Sequence, residues 1–151
     1  MTSPVLHTSR FRLGYADTDP AGILYYAAWL PWMERTQSEW LFLNDWRQDT
    51  LLERFGFWTV TRKAECEYLL PVGLYDEIEL SLHIGDIGTT SFRFEHRMMR
   101  VSDGAEVARA SVLNVVVGAD TRPLNIPAVL RDQLTSWREH GPAPTSDRSS
   151  S

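Results

Sequence analysis

The residues best suited to chemistry lie in one run, Tyr15-Ala16-Asp17-Thr18-Asp19-Pro20-Ala21-Gly22-Ile23-Leu24-Tyr25-Tyr26. Two acidic residues stand one residue apart, followed by Pro20, Gly22 and then aromatic and apolar residues that lead into a helical pattern. A carboxylate is costly to desolvate, so its place before an apolar helix needs a reason. One reason is chemical. Free N–H groups at a helix N-terminus polarise a carbonyl, while a nearby carboxylate attacks its carbon or activates water against it. The other is structural: Asp caps helices and closes turns. For Asp17 the structural reading is preferred. Gly22 lets the backbone turn tightly and approach a ligand, and Pro20 stiffens the chain beside Asp19.

Other chemistries find no support. His7, His83, His96 and His140 are scattered, and none has metal-ligand spacing with Cys66 or with another histidine. There is no Gly-x-Ser-x-Gly elbow and no nucleotide phosphate loop, so neither a metal nor a cofactor is implied. A net charge of −5 argues against broad binding to a nucleic-acid backbone. Cys66 is the single cysteine, which excludes an intramolecular disulfide and fits a reducing compartment; on an apolar strand face it reads as a small buried residue. Met1 to Arg10 lacks the apolar stretch of a signal peptide. No apolar run approaches the roughly 20 residues that span a bilayer. A cytoplasmic protein without a membrane partner is expected.

The elements that must carry the acidic run follow from periodicity. His7 to Tyr15 reads as a first strand, with Phe11 and Leu13 on one face. About Ala28 to Leu43 reads as the main helix, with Trp29, Met33, Thr36, Trp40 and Leu43 in one stripe. Pro31 is tolerated only in a first helical turn, which places the helix start near Ala27 to Leu30, directly after Tyr26. Asp49 to Phe55 predicts a short helix stopped by Gly56.

The period then changes to two. Trp58 through Tyr68, Glu77 through Ile84 and Phe92 through Met98 alternate apolar and polar, and Glu106 to Val117 is a long, mostly apolar strand. Pro127 to Glu139 predicts a last helix burying Val129, Leu130, Leu134 and Trp137. The order predicts an α+β domain with an antiparallel sheet, a single domain over 1–140, and a disordered Pro- and Ser-rich tail over 141–151. The strand Ala108 to Val117 is apolar on both faces, which predicts a partner subunit over the second face.

The run Asp17 to Tyr26 resembles the signature of hot-dog-fold acyl-CoA thioesterases, most of all the 4-hydroxybenzoyl-CoA thioesterase family. Trp32-Met33-Glu34-Arg35-Thr36, Trp46-Arg47-Gln48, Glu53-Arg54, Tyr68-Leu69-Leu70-Pro71 and Tyr75-Asp76-Glu77 are similar too, so the likeness runs from about Arg10 to Leu134. The resemblance implies a five-stranded antiparallel sheet wrapped around one long helix, and a homodimer or homotetramer with active sites between subunits. It implies an acyl-CoA substrate, Asp19 as the catalytic carboxylate, and the Tyr26 backbone N–H, set by the turn at Gly22, as the group that holds the thioester carbonyl. Asp19 would attack the thioester to form a mixed anhydride or deprotonate a water.

Glu34, two turns beyond Tyr26, is either a ligand for a polar acyl substituent or a solvated charge. Thr59 aligns with an acyl-pocket position of the family, and Tyr25 joins the substrate-contacting set. Trp29, Trp32, Trp40 and Trp58 suit an aromatic pocket, although aromatics at helical spacing are more often core.

The chain departs from the family where a basic cluster contacts the CoA phosphates: Gly88-Thr89-Thr90 is uncharged, leaving Arg62, Lys63, Arg93, Arg97 or Arg100 for that task. Tol-Pal-associated thioesterases usually carry His where this chain has Tyr26. Pro20-Ala21-Gly22 with Tyr26 therefore favours an aromatic acyl group. A short- or medium-chain aliphatic acyl-CoA is the alternative, as is a hot-dog subunit that binds an acyl-CoA or acyl carrier without turnover.

Overall fold

The computed structural model describes residues 3–143. Strand β1 (His7–Arg12) leads through a long loop to helix α1 (Trp29–Leu43) and the short helix α2 (Leu51–Phe55). Strands β2 (Trp58–Tyr68), β3 (Glu77–Ile87), β4 (Ser91–Arg100) and β5 (Glu106–Val117) follow, and helix α3 (Ala128–His140) closes the described chain. The strands form one antiparallel sheet in the order β1-β3-β4-β5-β2. This is the α+β hot-dog arrangement: a five-stranded antiparallel sheet wrapped around one long helix.

The sheet face toward α1 is the apolar register of each strand. Ile78, Leu80, Leu82 and Ile84 of β3 are buried there, opposite Phe92, Phe94, His96 and Met98 of β4. From α1, Trp29, Trp32, Met33, Thr36, Gln37 and Trp40 are buried. Leu43 is exposed rather than part of the stripe, because the helix ends there; Trp46, just beyond, fills the core instead. A buried polar contact crosses this interface: Gln37 Nε2 lies 2.8 Å from His96 Nε2, both buried. Burial holds His96 far below the ordinary histidine value, at about 3, so the ring is neutral.

Strand β2 departs from simple alternation. Its register against β5 slips between Thr61 and Lys63, leaving Arg62 as a bulge. The slip reverses the faces at that point. Thr59 and Thr61, not Trp58 and Val60, share the α1 side with Ala64, Cys66 and Tyr68, whose partners Val112, Ala110 and Ala108 are buried. Cys66 is half-buried against this core, and burial raises its thiol.

The C-terminal end of β5 is covered by its own chain. Val115, Val116 and Val117 are all buried within the single chain. The segment after β5 folds back so that the Leu124 N–H donates to Val116 O (2.9 Å) and Pro123 bridges to Val117. The Trp58 indole N–H donates to Gly118 O at 3.1 Å. That end of the strand therefore needs no second subunit to bury it. Helix α3 buries Leu130, Leu134 and Trp137, but Val129 is exposed because only one side of its first turn meets the sheet. Of the expected tail, 144–151 lies outside the described residues.

Candidate active site

The acidic run folds into a tight hairpin over the N-terminal end of α1. Thr18 and Leu24 pair across it, the Gly22 N–H donates to Asp19 O (2.9 Å), and the Asp19 N–H donates to Ile23 O (2.9 Å). Pro20 occupies the second turn position, where its fixed φ is favourable. Gly22 has φ +79°, a left-handed conformation that glycine adopts without strain. The hairpin is docked on the stretch after β2. The Leu24 N–H donates to Val72 O (2.7 Å), and Ile23 bridges to Gly73.

The two acidic residues have different surroundings. Asp17 Oδ2 accepts the Gly14 N–H at 2.9 Å, and the Asp17 carbonyl accepts the Tyr25 N–H at 2.6 Å, so Asp17 ties both ends of the loop together. Asp19 is half-buried. Its Oδ1 accepts the Ala21 N–H at 2.8 Å, an Asx turn; among the described residues its Oδ2 has no partner. Turn chemistry thus occupies one carboxylate oxygen and leaves the other for a ligand or water.

Tyr26 opens a 3₁₀ turn, Tyr26–Ala28, that runs directly into α1. Pro31, third in α1, lies in the first turn as expected. The Tyr25 carbonyl accepts the Ala28 N–H at 2.9 Å. Because a peptide unit is planar, this bond also fixes the direction of the Tyr26 N–H. Among the described residues the Tyr26 N–H has no partner, as an oxyanion donor requires. Tyr25 and Tyr26 are both exposed, 44% and 65%, with their rings edge-to-face at 4.8 Å, so neither ring is core. The Tyr26 hydroxyl partners Tyr25 and raises the Tyr25 phenol.

Asp19 and Tyr26 line one cavity of about 380 Å³. Trp29 forms its buried wall and packs edge-to-face on Trp32 at 5.4 Å; Tyr68, Leu70 and Val72 close the side contributed by β2 and its following stretch. Tyr68, which the sequence reading left out of the site, donates its hydroxyl to the Tyr26 carbonyl at 2.6 Å. The sequence signal was there, a tyrosine ending a strand just before a proline, but nothing in the order of residues ties it to Tyr26.

A second cavity of about 210 Å³ lies between α1 and strands β2 and β5. It is lined by Leu30, Met33, Glu34, Gln37, Thr61, Ala64 and Val112. Glu34 is therefore at a cavity and also accepts a hydrogen bond from Ser38. Thr59 lines neither cavity; it pairs with Val116, and Thr61 stands at the second cavity in its place.

Of the five basic residues named for the CoA phosphates, four carry acidic partners: Lys63 and Arg93 on Glu65, Arg97 on Glu106, Arg100 on Asp103. Arg62, on the bulge, has none among the described residues. The uncharged Gly88-Thr89-Thr90 turn gains a cation from α3, since Arg131 donates to Gly88 O at 2.6 Å. Among the described residues no acidic, histidine and cysteine cluster could hold a metal ion, and no helix is long and apolar enough to cross a membrane.

Known proteins share this architecture and sequence. The model of the thioesterase-like superfamily matches residues 13–134. An acyl-CoA thioester hydrolase YbgC of Escherichia coli is 34% identical over 107 residues, 70% of this chain and 78% of that protein. A 1,4-dihydroxy-2-naphthoyl-CoA thioesterase from Synechocystis superposes with a TM-score of 0.74 at 18% identity, over 85% of this chain and 95% of that one. A gentisyl-coenzyme A thioesterase superposes with a TM-score of 0.68 at 22% identity, over 82% and 98%. At those identities the two structures speak for the fold, whereas the family match spans the hairpin, α1 and strands β2 to β5. The chain belongs to the thioesterase-like superfamily.

Proposed function

We propose that this protein is an acyl-CoA thioester hydrolase in which Asp19 and the Tyr26 backbone N–H act on the thioester, with an aromatic acyl group as the preferred substrate. The observation that carries the reading is the shared cavity. Asp19, whose carboxylate has one uncommitted oxygen, and Tyr26, whose N–H has no partner among the described residues, line the same cavity with the buried Trp29.

A thioester carbonyl is already electrophilic, so charge stabilisation and a nucleophile suffice. The Tyr26 N–H, held by the 3₁₀ turn and aided by the α1 dipole, stabilises the developing oxyanion, a contribution of about 3 kcal/mol for one such donor. Asp19 attacks the carbonyl carbon, the C–S bond breaks to release the CoA thiolate, and water hydrolyses the resulting mixed anhydride; or Asp19 removes a proton from the water that attacks, and the same C–S bond breaks, the thiolate taking up a proton on release. The Asx bond from the Ala21 N–H orients the carboxylate without neutralising it. The tight turn at Gly22 brings Asp19 toward the helix start.

The aromatic preference rests on Trp29 at the cavity wall and on Tyr26 within the Pro20-Ala21-Gly22 context. Relatives of the same fold are named for dihydroxynaphthoyl and gentisyl thioesters, whereas the name of the E. coli relative specifies acyl-CoA alone. Glu34, in the second cavity, would receive a polar ring substituent, and Tyr25 would edge the entrance. Arg62 and Arg131 are the cations we assign to the CoA phosphates. The protein would work in the cytoplasm as a homodimer or homotetramer, the exposed rings around the hairpin being covered by a second copy.

Thiol release measured across benzoyl-, 4-hydroxybenzoyl-, hexanoyl- and acetyl-CoA tests the reading. Highest kcat/KM on the two aromatic thioesters is expected. A preference for hexanoyl-CoA would overturn the aromatic assignment, and release from none of them would leave a binding module.

A further inference from the structure

We infer that Tyr68 is a positioning residue for thioester hydrolysis: its hydroxyl, bound to the Tyr26 carbonyl, holds the 3₁₀ turn whose N–H receives the oxyanion. The inference rests on the proposed role of Tyr26. That N–H lies in the Tyr25–Tyr26 peptide unit, and its direction relative to the next unit is set by rotation about the Tyr26 Cα. The Tyr25–Tyr26 unit is fixed from one side by the Ala28 N–H on the Tyr25 carbonyl. The Tyr26–Ala27 unit is fixed from the other side by Tyr68, at 2.6 Å. With both planes held, rotation about the Tyr26 Cα is blocked.

Tyr68 is itself firmly based. It ends β2 opposite Ala108, which is buried, and the next two N–H groups, of Leu69 and Leu70, both donate to Val107 O at 2.9 and 3.1 Å. The same stretch carries Val72 O, which holds the hairpin at Leu24 (2.7 Å). The end of β2 thus fastens both halves of the site: the Asp19 hairpin through Val72 and the oxyanion turn through Tyr68. Burial pushes the Tyr68 phenol up to about 12, so it stays a donor through neutral pH. Preorganised donors owe their effect to being already aimed when charge develops, so loosening the turn costs rate more than binding.

Tyr68→Phe removes only the hydroxyl from a side chain that is 50% exposed, so the fold should survive. Two measurements test it. Amide hydrogen exchange over residues 25–29 needs no substrate: Tyr68→Phe should exchange there several-fold faster than wild type, and unchanged exchange would overturn the inference. Turnover should show kcat lowered about tenfold with KM within about twofold. A raised KM with unchanged kcat would instead make Tyr68 a substrate contact and overturn it. Replacing Tyr68 with a fluorinated tyrosine, whose phenol is more acidic, should add an alkaline fall in kcat that wild type lacks; a merely structural tyrosine would leave that profile unmoved. Asp19→Asn measured alongside separates the two ideas. Loss of turnover there with a wild-type Tyr68→Phe would sink only the Tyr68 inference, while an active Asp19→Asn would sink the site itself.

Discussion

Acidification should destabilise this protein through His96 before its carboxylates matter. The ring is fully buried between α1 and the sheet, and it is neutral, with Nε2 available to accept from Gln37 Nε2 at 2.8 Å. Its folded value is about 3, against about 6.5 in an unfolded chain. The unfolded state therefore binds more protons between those two values, and stability falls as pH falls through that window. Above pH 7 the ring is neutral in both states and nothing is lost. At pH 5 the unfolded state gains about 2 kcal/mol from protonating this one side chain, and each further unit adds about 1.4 kcal/mol. His83 is lowered too, chiefly by burial, and acts in the same direction. The carboxylates whose values are depressed, Glu65, Asp103 and Glu106 among them, lose their contributions only at lower pH. Urea unfolding at pH 7.5, 6 and 5 should show a falling midpoint with a constant slope, and His96→Gln should flatten most of the change. A midpoint that stays level from pH 7.5 to 5 in wild type would refute the neutral, buried ring.

The hairpin and the assembly give further expectations. Gly22→Ala meets no atom within 4 Å of the new Cβ, so its cost is purely conformational, about 1–2 kcal/mol for a left-handed alanine. It should lower stability or turnover, with Gly22→Asn milder; wild-type behaviour of Gly22→Ala in both would contradict the turn described. Tyr26→Phe should keep turnover within a few-fold, since the N–H and not the ring is used. Sedimentation at micromolar concentration should give a dimer or tetramer, and a monomer would contradict the proposed assembly.

The turn at Gly22, the helix start and the sheet were legible in the sequence because each depends on local rules. Pro31 marked the first turn of α1, Gly56 its left-handed stop after α2, and period-two runs marked the strands. What stayed hidden was non-local. The bulge at Arg62 reverses which threonine faces α1, and no pattern within β2 announces it, because Thr59, Thr61 and Ala64 are all compatible with either face. The segment after β5 returns to bridge Val117 at Pro123, a contact that no pattern within β5 announces. The bond from Tyr68 to Tyr26 joins residues 42 positions apart, which only the folded sheet brings together. Gln37 sat unnoticed on the buried stripe because its partner, His96, lies on β4.

The central claim is that Asp19 does the chemistry while Asp17 ties the loop. Steady-state thiol release by wild type, Asp19→Asn and Asp17→Asn, on whichever acyl-CoA wild type turns over best, tests it directly. Asp19→Asn keeps the shape and the Ala21 hydrogen bond but removes the nucleophile or base, so kcat should fall at least about a hundredfold, with Asp17→Asn far milder. Turnover by Asp19→Asn within a few-fold of wild type would contradict the account.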